Sequence, residues 1–170
     1  MKNKTQGIIL GILATLVVGG IVFFAWNTTP RGEMAVPKEW SASALAAQEQ
    51  FFDFGTISMA AGKVSNSFAV RNDGTEPVAI TKIATSCMCT VARLKTGERT
   101  LGPFGMQGHG TVPSVREEIA PEETVEIEVE FDPAAHGPSG TGRIRRVAYV
   151  ETNSQTKPKL EFSFEANVTP

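Results

Sequence analysis

Between Thr124 and Phe131 the apolar residues Val125, Ile127, Val129 and Phe131 alternate with Glu126, Glu128 and Glu130. Successive side chains of a β-strand point to opposite faces, so this segment presents one dry face and one solvated face. It is the cleanest periodicity in the chain, and a helix cannot satisfy it. Other segments follow the same rule. Val64 to Asn72 places Val64, Phe68 and Val70 on one side and ends at the turn signal Asn72-Asp73-Gly74. Phe52-Asp53-Phe54-Gly55 is a short alternating strand, and Val78 to Thr85 carries Val78, Ile80 and Ile83 behind Pro77. Arg143 to Thr152 and Lys159 to Val168 form a last pair, joined by Asn153-Ser154-Gln155-Thr156, with Leu160, Phe162, Phe164, Ala166 and Val168 on one face. Six or seven short strands in about 120 residues predict an all-β domain, an immunoglobulin-like antiparallel β-sandwich, with a small barrel as the alternative.

One segment obeys a different rule. Gly7 to Trp26 is twenty residues without a charge. As a helix it spans roughly 30 Å, the thickness of a bilayer's hydrocarbon core. Lys2 and Lys4 precede it, which argues for residues 1–6 on the cytoplasmic side. A cleaved signal peptide is the competing reading, but Phe23-Phe24-Ala25-Trp26 offers no small-x-small cleavage site. The expected organisation is therefore a cytoplasmic N-terminus (1–6), a transmembrane helix (7–26), a linker (27–50) and a sandwich (51–170) interrupted by a long loop (94–123). The linker contains Thr-Thr-Pro-Arg-Gly and Val36-Pro37, and its Ala-rich end, Trp40 to Gln50, is read as a spacer in preference to a short helix. The globular part is expected outside the cytoplasm, periplasmic or extracellular, where conditions are oxidising.

Two of the 16 Lys and Arg residues precede the apolar run, leaving 14 against 18 Asp and Glu in the remainder. A mildly acidic domain without a basic run gives no electrostatic footprint for nucleic acid.

Four stations in this order resemble a bacterial family, the domain of unknown function 1573. They are Phe52-Asp53-Phe54-Gly55-Thr56, Phe68 through Gly74, Thr85-Ser86-Cys87-Met88-Cys89-Thr90, and Ile119-Ala120-Pro121-Glu122-Glu123 running into Val125 through Asp132. The resemblance covers roughly Phe52 to Val168 and implies an immunoglobulin-like sandwich of the Hydin and sperm-protein type in the cell envelope. It implies no activity. Met88 stands where the family usually has glycine, and the connection from Leu94 to Glu123 is longer than the family's.

The chemistry concentrates at Cys87 and Cys89, the only two cysteines. In an extended strand their Cβ atoms would lie about 6.5–7 Å apart on one face, whereas a disulfide wants about 3.5–4.5 Å. They pair only if the strand bends, which gives a strained, labile bridge. Left reduced, they aim two soft thiolates at one point, which suits Cu(I) or Zn(II). Within Gly102 to Gly110, Met106 and His109 supply a thioether and an imidazole three residues apart. If that loop folds back, Cys87, Cys89, Met106 and His109 form a metal-ligand set favouring Cu(I) as the cofactor. Simple packing of two small hydrophobes is the bland alternative. Met88 is expected as core filler, and His136, in a turn, as exposed and functionless. Arg143 and Arg145 share a strand face, balanced by Glu128 or Glu130.

No phosphate loop, nucleophile elbow or zinc helix is present. The expected function is a membrane-anchored, non-enzymatic binding or adaptor module for an unidentified envelope protein partner. The alternative is a copper-handling or thiol-redox protein using the Cys-x-Cys pair.

Overall fold

In the computed structural model, which describes residues 40–110 and 113–170, the chain forms ten strands. These are β1 (Leu45–Ala47), β2 (Phe51–Ser58), β3 (Val64–Asn72), β4 (Val78–Thr85), β5 (Thr90–Thr96), β6 (Arg99–Phe104), β7 (Glu117–Ile119), β8 (Thr124–Phe131), β9 (Gly142–Thr152) and β10 (Lys159–Thr169). One sheet has the order β1-β3-β8-β5-β6 and the other β2-β10-β9-β4-β7. The first is antiparallel throughout; in the second, β2 runs parallel to β10. Reading β1, β3, β8 and β5 as A, B, E and D, and β4, β9 and β10 as C, F and G, gives the immunoglobulin-type sandwich. The predicted cytoplasmic segment 1–6 and transmembrane helix 7–26 lie outside the described residues. Among the described residues no helix is long and apolar enough to cross a membrane.

The alternating strands bury the faces that their sequences mark. Val125, Ile127, Val129 and Phe131 are buried along β8, as are Leu160, Phe162, Phe164, Ala166 and Val168 along β10. In β4 the buried set passes from Ile80 to Ile83 because a bulge between Ile80 and Lys82 shifts the register by one. Aromatic pairs join the sheets: Phe68 of β3 meets Phe162 of β10 with centroids 5.1 Å apart, and Phe131 of β8 meets Phe164 at 5.4 Å. Each such pair adds about 0.5–1.5 kcal/mol beyond the area it removes from water.

Two expected boundaries move. The domain begins inside the predicted 27–50 linker, since Leu45 is fully buried and β1 pairs with β3. Ser41 is also fully buried; its N–H donates to Asn153 O at 2.9 Å and its carbonyl accepts from Gln155 N–H at 2.9 Å. Ser41, Ser43 and Leu45 do alternate, but serine at the inward positions hides the signal. The predicted loop 94–123 contains strands as well. It turns at Gly97, returns as β6 against β5, and contributes β7 to the edge of β4. Gly102-Pro103 masks β6 as a strand, yet proline is tolerated there because β6 is an edge. The acidic face of β8 is matched within its own sheet, by Lys95 to Glu128 at 2.7 Å and Arg93 to Glu130 at 3.1 Å. Arg143 and Arg145 are balanced instead by Glu165 of β10, the strand directly beside them.

Candidate metal centre

The chain crosses from one sheet to the other between β4 and β5, and both cysteines lie in that crossing. They sit in a turn and not in a strand. Thr90 N–H donates to Cys87 O at 3.1 Å, closing a four-residue turn with Met88 and Cys89 at its apex. The Thr85 hydroxyl shares its proton between Cys87 O at 3.1 Å and Thr90 O at 2.9 Å, bracing the turn from inside. Three other elements hold it from outside. Ser86 exchanges bonds with Val147 of β9, N–H to O at 2.9 Å and N–H to hydroxyl at 2.9 Å. Thr85 N–H donates to Gly105 O at 3.1 Å, just beyond β6. Asp132 N–H, just beyond β8, donates to Cys89 O at 2.9 Å.

That last bond also positions a histidine. From Asp132 the chain makes a tight turn, with Ala134 N–H donating to the Asp132 carboxylate at 2.9 Å and Gly137 N–H to Ala134 O at 2.9 Å. Gly137 has φ +57°, a conformation that glycine adopts at little cost. A Cβ on Gly140 would sit 3.1 Å from His136 Cβ, so Gly140 leaves room for the imidazole's stem. The result brings His136 Nε2 to 3.2 Å from Cys87 Sγ. Ligand atoms of Cys87, Cys89 and His136 all lie within 4.8 Å of one another.

A cation completes the group. Even-numbered residues of β9 face the core, as buried Ala148 and Val150 show, and Arg146 shares their parity. Its Nε donates to Cys89 Sγ at 3.3 Å while Nη1 is held by Arg145 O at 2.8 Å. Both cysteines are free thiols, Cys87 half-buried and Cys89 buried. Burial acts to raise Cys87, but the Cys89 thiol, the Cys89 N–H, His136 and the charge of Arg146 outweigh it and bring its pKa down to about 7. Burial, together with the neighbouring Cys87, pushes the Cys89 thiol up, against Arg146 and Thr90.

Of the four ligands expected from the sequence, the cysteines stand together as expected, but the histidine beside them is His136 and not His109. His109 is exposed and outside the converging group. Met106 does return to the turn, by backbone pairing with Thr85. Met88 is 54% exposed at the apex and fills no core. The signal for Arg146 was available in the sequence: it is the one arginine of the Arg143-Arg145-Arg146 group on the parity of Ala148 and Val150. His136 had no such signal, because its approach depends on a turn between strands of different sheets.

The family described as Protein of unknown function (DUF1573) matches residues 45–102. No curated protein matches the sequence. Among solved structures, a protein of unknown function from Porphyromonas gingivalis W83 is similar, with TM-score 0.55 and 15% identity over 79% of this chain and 51% of that one. This chain thus spans about half the length of that protein, and the likeness is one of fold. The ASH/PapD-like domain 7 of human CEP192 gives TM-score 0.44 and 13% identity, over 77% of this chain and 87% of that one. Vibrio cholerae VesB protease gives TM-score 0.48 and 15% identity, over 75% and 32%. The chain is thus similar over residues 45–102, a segment that includes both thiols of the crossing turn, to a family described as of unknown function.

Proposed function

We propose that this chain is a membrane-anchored, extracytoplasmic binding module whose immunoglobulin-like sandwich holds one Cu(I) ion at Cys87, Cys89 and His136. The observation that carries the proposal is the convergence of two sulfurs and one imidazole nitrogen within 4.8 Å, on two loops tied together by the Asp132 N–H to Cys89 O bond. Thiolate ligands select soft ions, and three protein donors fall short of the four that close a structural zinc site. The anchor is supported by the charge-free run Gly7 to Trp26 behind Lys2 and Lys4. The envelope partner expected from the sequence would then receive or deliver the ion.

The test is a Cu(I) competition titration against a chromophoric chelator, under reducing conditions, on the full chain in detergent. One equivalent is expected, lost in Cys87→Ser/Cys89→Ser and weakened about 10-fold or more in His136→Ala. Met106→Ala and His109→Ala should leave affinity unchanged. Absence of binding, or equal weakening by His109→Ala and His136→Ala, overturns the assignment.

A second reading has one observation of its own, the downward shift of Cys87 to about 7 beside a thiol shifted upward. An attacking thiol works best with a pKa near ambient pH. Cys87 thiolate would attack a partner disulfide and release one partner thiolate. Cys89, giving up its proton, would displace the second, leaving a Cys87–Cys89 disulfide and a reduced partner. A redox titration of the same chain, with the disulfide followed by mass, separates the two readings.

A further inference from the structure

We propose that Arg146 sets the valence preference of the thiol site, favouring a monovalent soft cation over a divalent one. The inference rests on Cys87, Cys89 and His136 binding metal, and adds which metal charge the surroundings accept.

Arg146 is held at both ends of its guanidinium, by Cys89 Sγ at 3.3 Å and Arg145 O at 2.8 Å. It is partly buried on the inward parity of β9. Its neighbours on the strand behave differently: Arg143 and Arg145 both pair with Glu165. Among the described residues no carboxylate pairs with Arg146. Asp132, whose backbone N–H donates to Cys89 O, has its carboxylate accepting from Ala134 N–H. The charge of Arg146 is therefore left for the sulfurs.

Metal binding requires both thiols deprotonated and the imidazole neutral. Two thiolates, one imidazole and Cu(I) carry one net negative charge, which Arg146 cancels. With Zn(II) the same ligands are already neutral, and Arg146 leaves one positive charge uncompensated beside the ion. In a half-buried site this matters, because charge interactions strengthen as water is excluded. Donor type alone would not discriminate, since thiolate and imidazole also suit zinc. A thiolate retains lone pairs for the metal while accepting a guanidinium N–H bond, so Cys89 can keep its bond to Arg146 while it binds the ion.

The experiment measures Cu(I) and Zn(II) affinities separately, by chelator competition, on the full chain and on Arg146→Met and Arg146→Lys. In Arg146→Met the Cu(I) affinity should fall about 10–100-fold, while Zn(II) affinity holds or rises. Arg146→Lys, which keeps the charge, should retain most of the preference. Equal losses for both ions in Arg146→Met, or a Cu(I)/Zn(II) ratio within about 3-fold of wild type, would make Arg146 structural and end the selectivity proposal while leaving the metal site standing. Wild-type protein that binds neither ion removes the metal site and the selectivity with it.

Discussion

The two ends of the sandwich solve the same problem with opposite chemistry. Where β3 hands over to β4, Asn72 is fully buried and saturated. Its Nδ2 donates to Glu76 O at 2.8 Å and Ile119 O at 2.9 Å, and its Oδ1 accepts from Gly74 N–H at 3.0 Å. Asn153 does similar work nearby, accepting from Ala79 N–H at 2.8 Å. Where β4 hands over to β5, at the other end of that strand, the crossing carries sulfur. Thiols are weak donors and weak acceptors, so they satisfy little of the turn; the Thr85 hydroxyl and three neighbouring backbones do that instead. What converges on Cys87 and Cys89 is an imidazole and a guanidinium. An end closed by amides has no bonding capacity left over. An end closed around the sulfurs, with the backbone already satisfied, leaves two thiols, a histidine and a cation free to act on something else.

Asn72→Ala should give the largest effect and strike stability alone. It removes three hydrogen bonds from a fully buried position, two of them to backbone carbonyls, a loss of about 2–4 kcal/mol. Urea unfolding of the full chain should show it as a lower midpoint with unchanged slope, while Cu(I) affinity stays within about 2-fold. A loss below about 0.5 kcal/mol would break the contrast from the architectural side.

Cys87→Ser should do the reverse. The side chain is half-buried, and the one turn backbone group it accepts from, the Cys89 N–H at 3.4 Å, can donate to a serine hydroxyl instead, so less than about 1 kcal/mol of stability is expected to go. Cu(I) binding should fall by more than about 100-fold. If unfolding shows Cys87→Ser to be as destabilising as Asn72→Ala, the thiols belong to the architecture and the two ends are alike.

The same contrast explains what the sequence disclosed. Strand positions were legible wherever one face was apolar and the other charged, as in β8, because alternation is a local consequence of the pleat. Asn72-Asp73-Gly74 was legible as a turn for an equally local reason. β1 was missed because its inward neighbours are serines, and β6 because Gly102-Pro103 interrupts the pattern. At the site, the cysteines announced themselves by type and spacing, but their partners did not. His109 lies twenty residues after Cys89 and His136 forty-seven; proximity along the chain favoured the wrong one. The sheet order puts β5 beside β8, so the exit of β8 meets the entry of β5, and only that non-local pairing brings His136 to Cys87.

The smallest effect is a matter of pH, and it concerns the sulfur end alone. With its pKa near 7, against an ordinary value of 9.0, Cys87 should be about half thiolate at neutral pH. Iodoacetamide should then modify Cys87 with a rate rising between about pH 6 and 8, because at pH 7 its thiolate fraction is roughly 50-fold that of an unshifted thiol. Cys89, pushed upward, should react only under more alkaline conditions. Arg146→Gln and His136→Ala each remove a group that favours the Cys87 thiolate, so each should move the midpoint upward. In stability the two thiols oppose each other. The lowered Cys87 pKa contributes stability that is fully present above 9.0 and lost as pH falls through about 7. The raised Cys89 pKa contributes stability present below 9.0 and lost as pH rises past its folded value. Cys87 is partly exposed, so solvent screening discounts its contribution, and Cys89 loses its contribution only above 9.0, so the urea midpoint should rise only modestly between pH 6 and 9 even as reactivity rises steeply. A midpoint that tracked the alkylation curve would tie the thiolate to the fold and erase the distinction between the two ends.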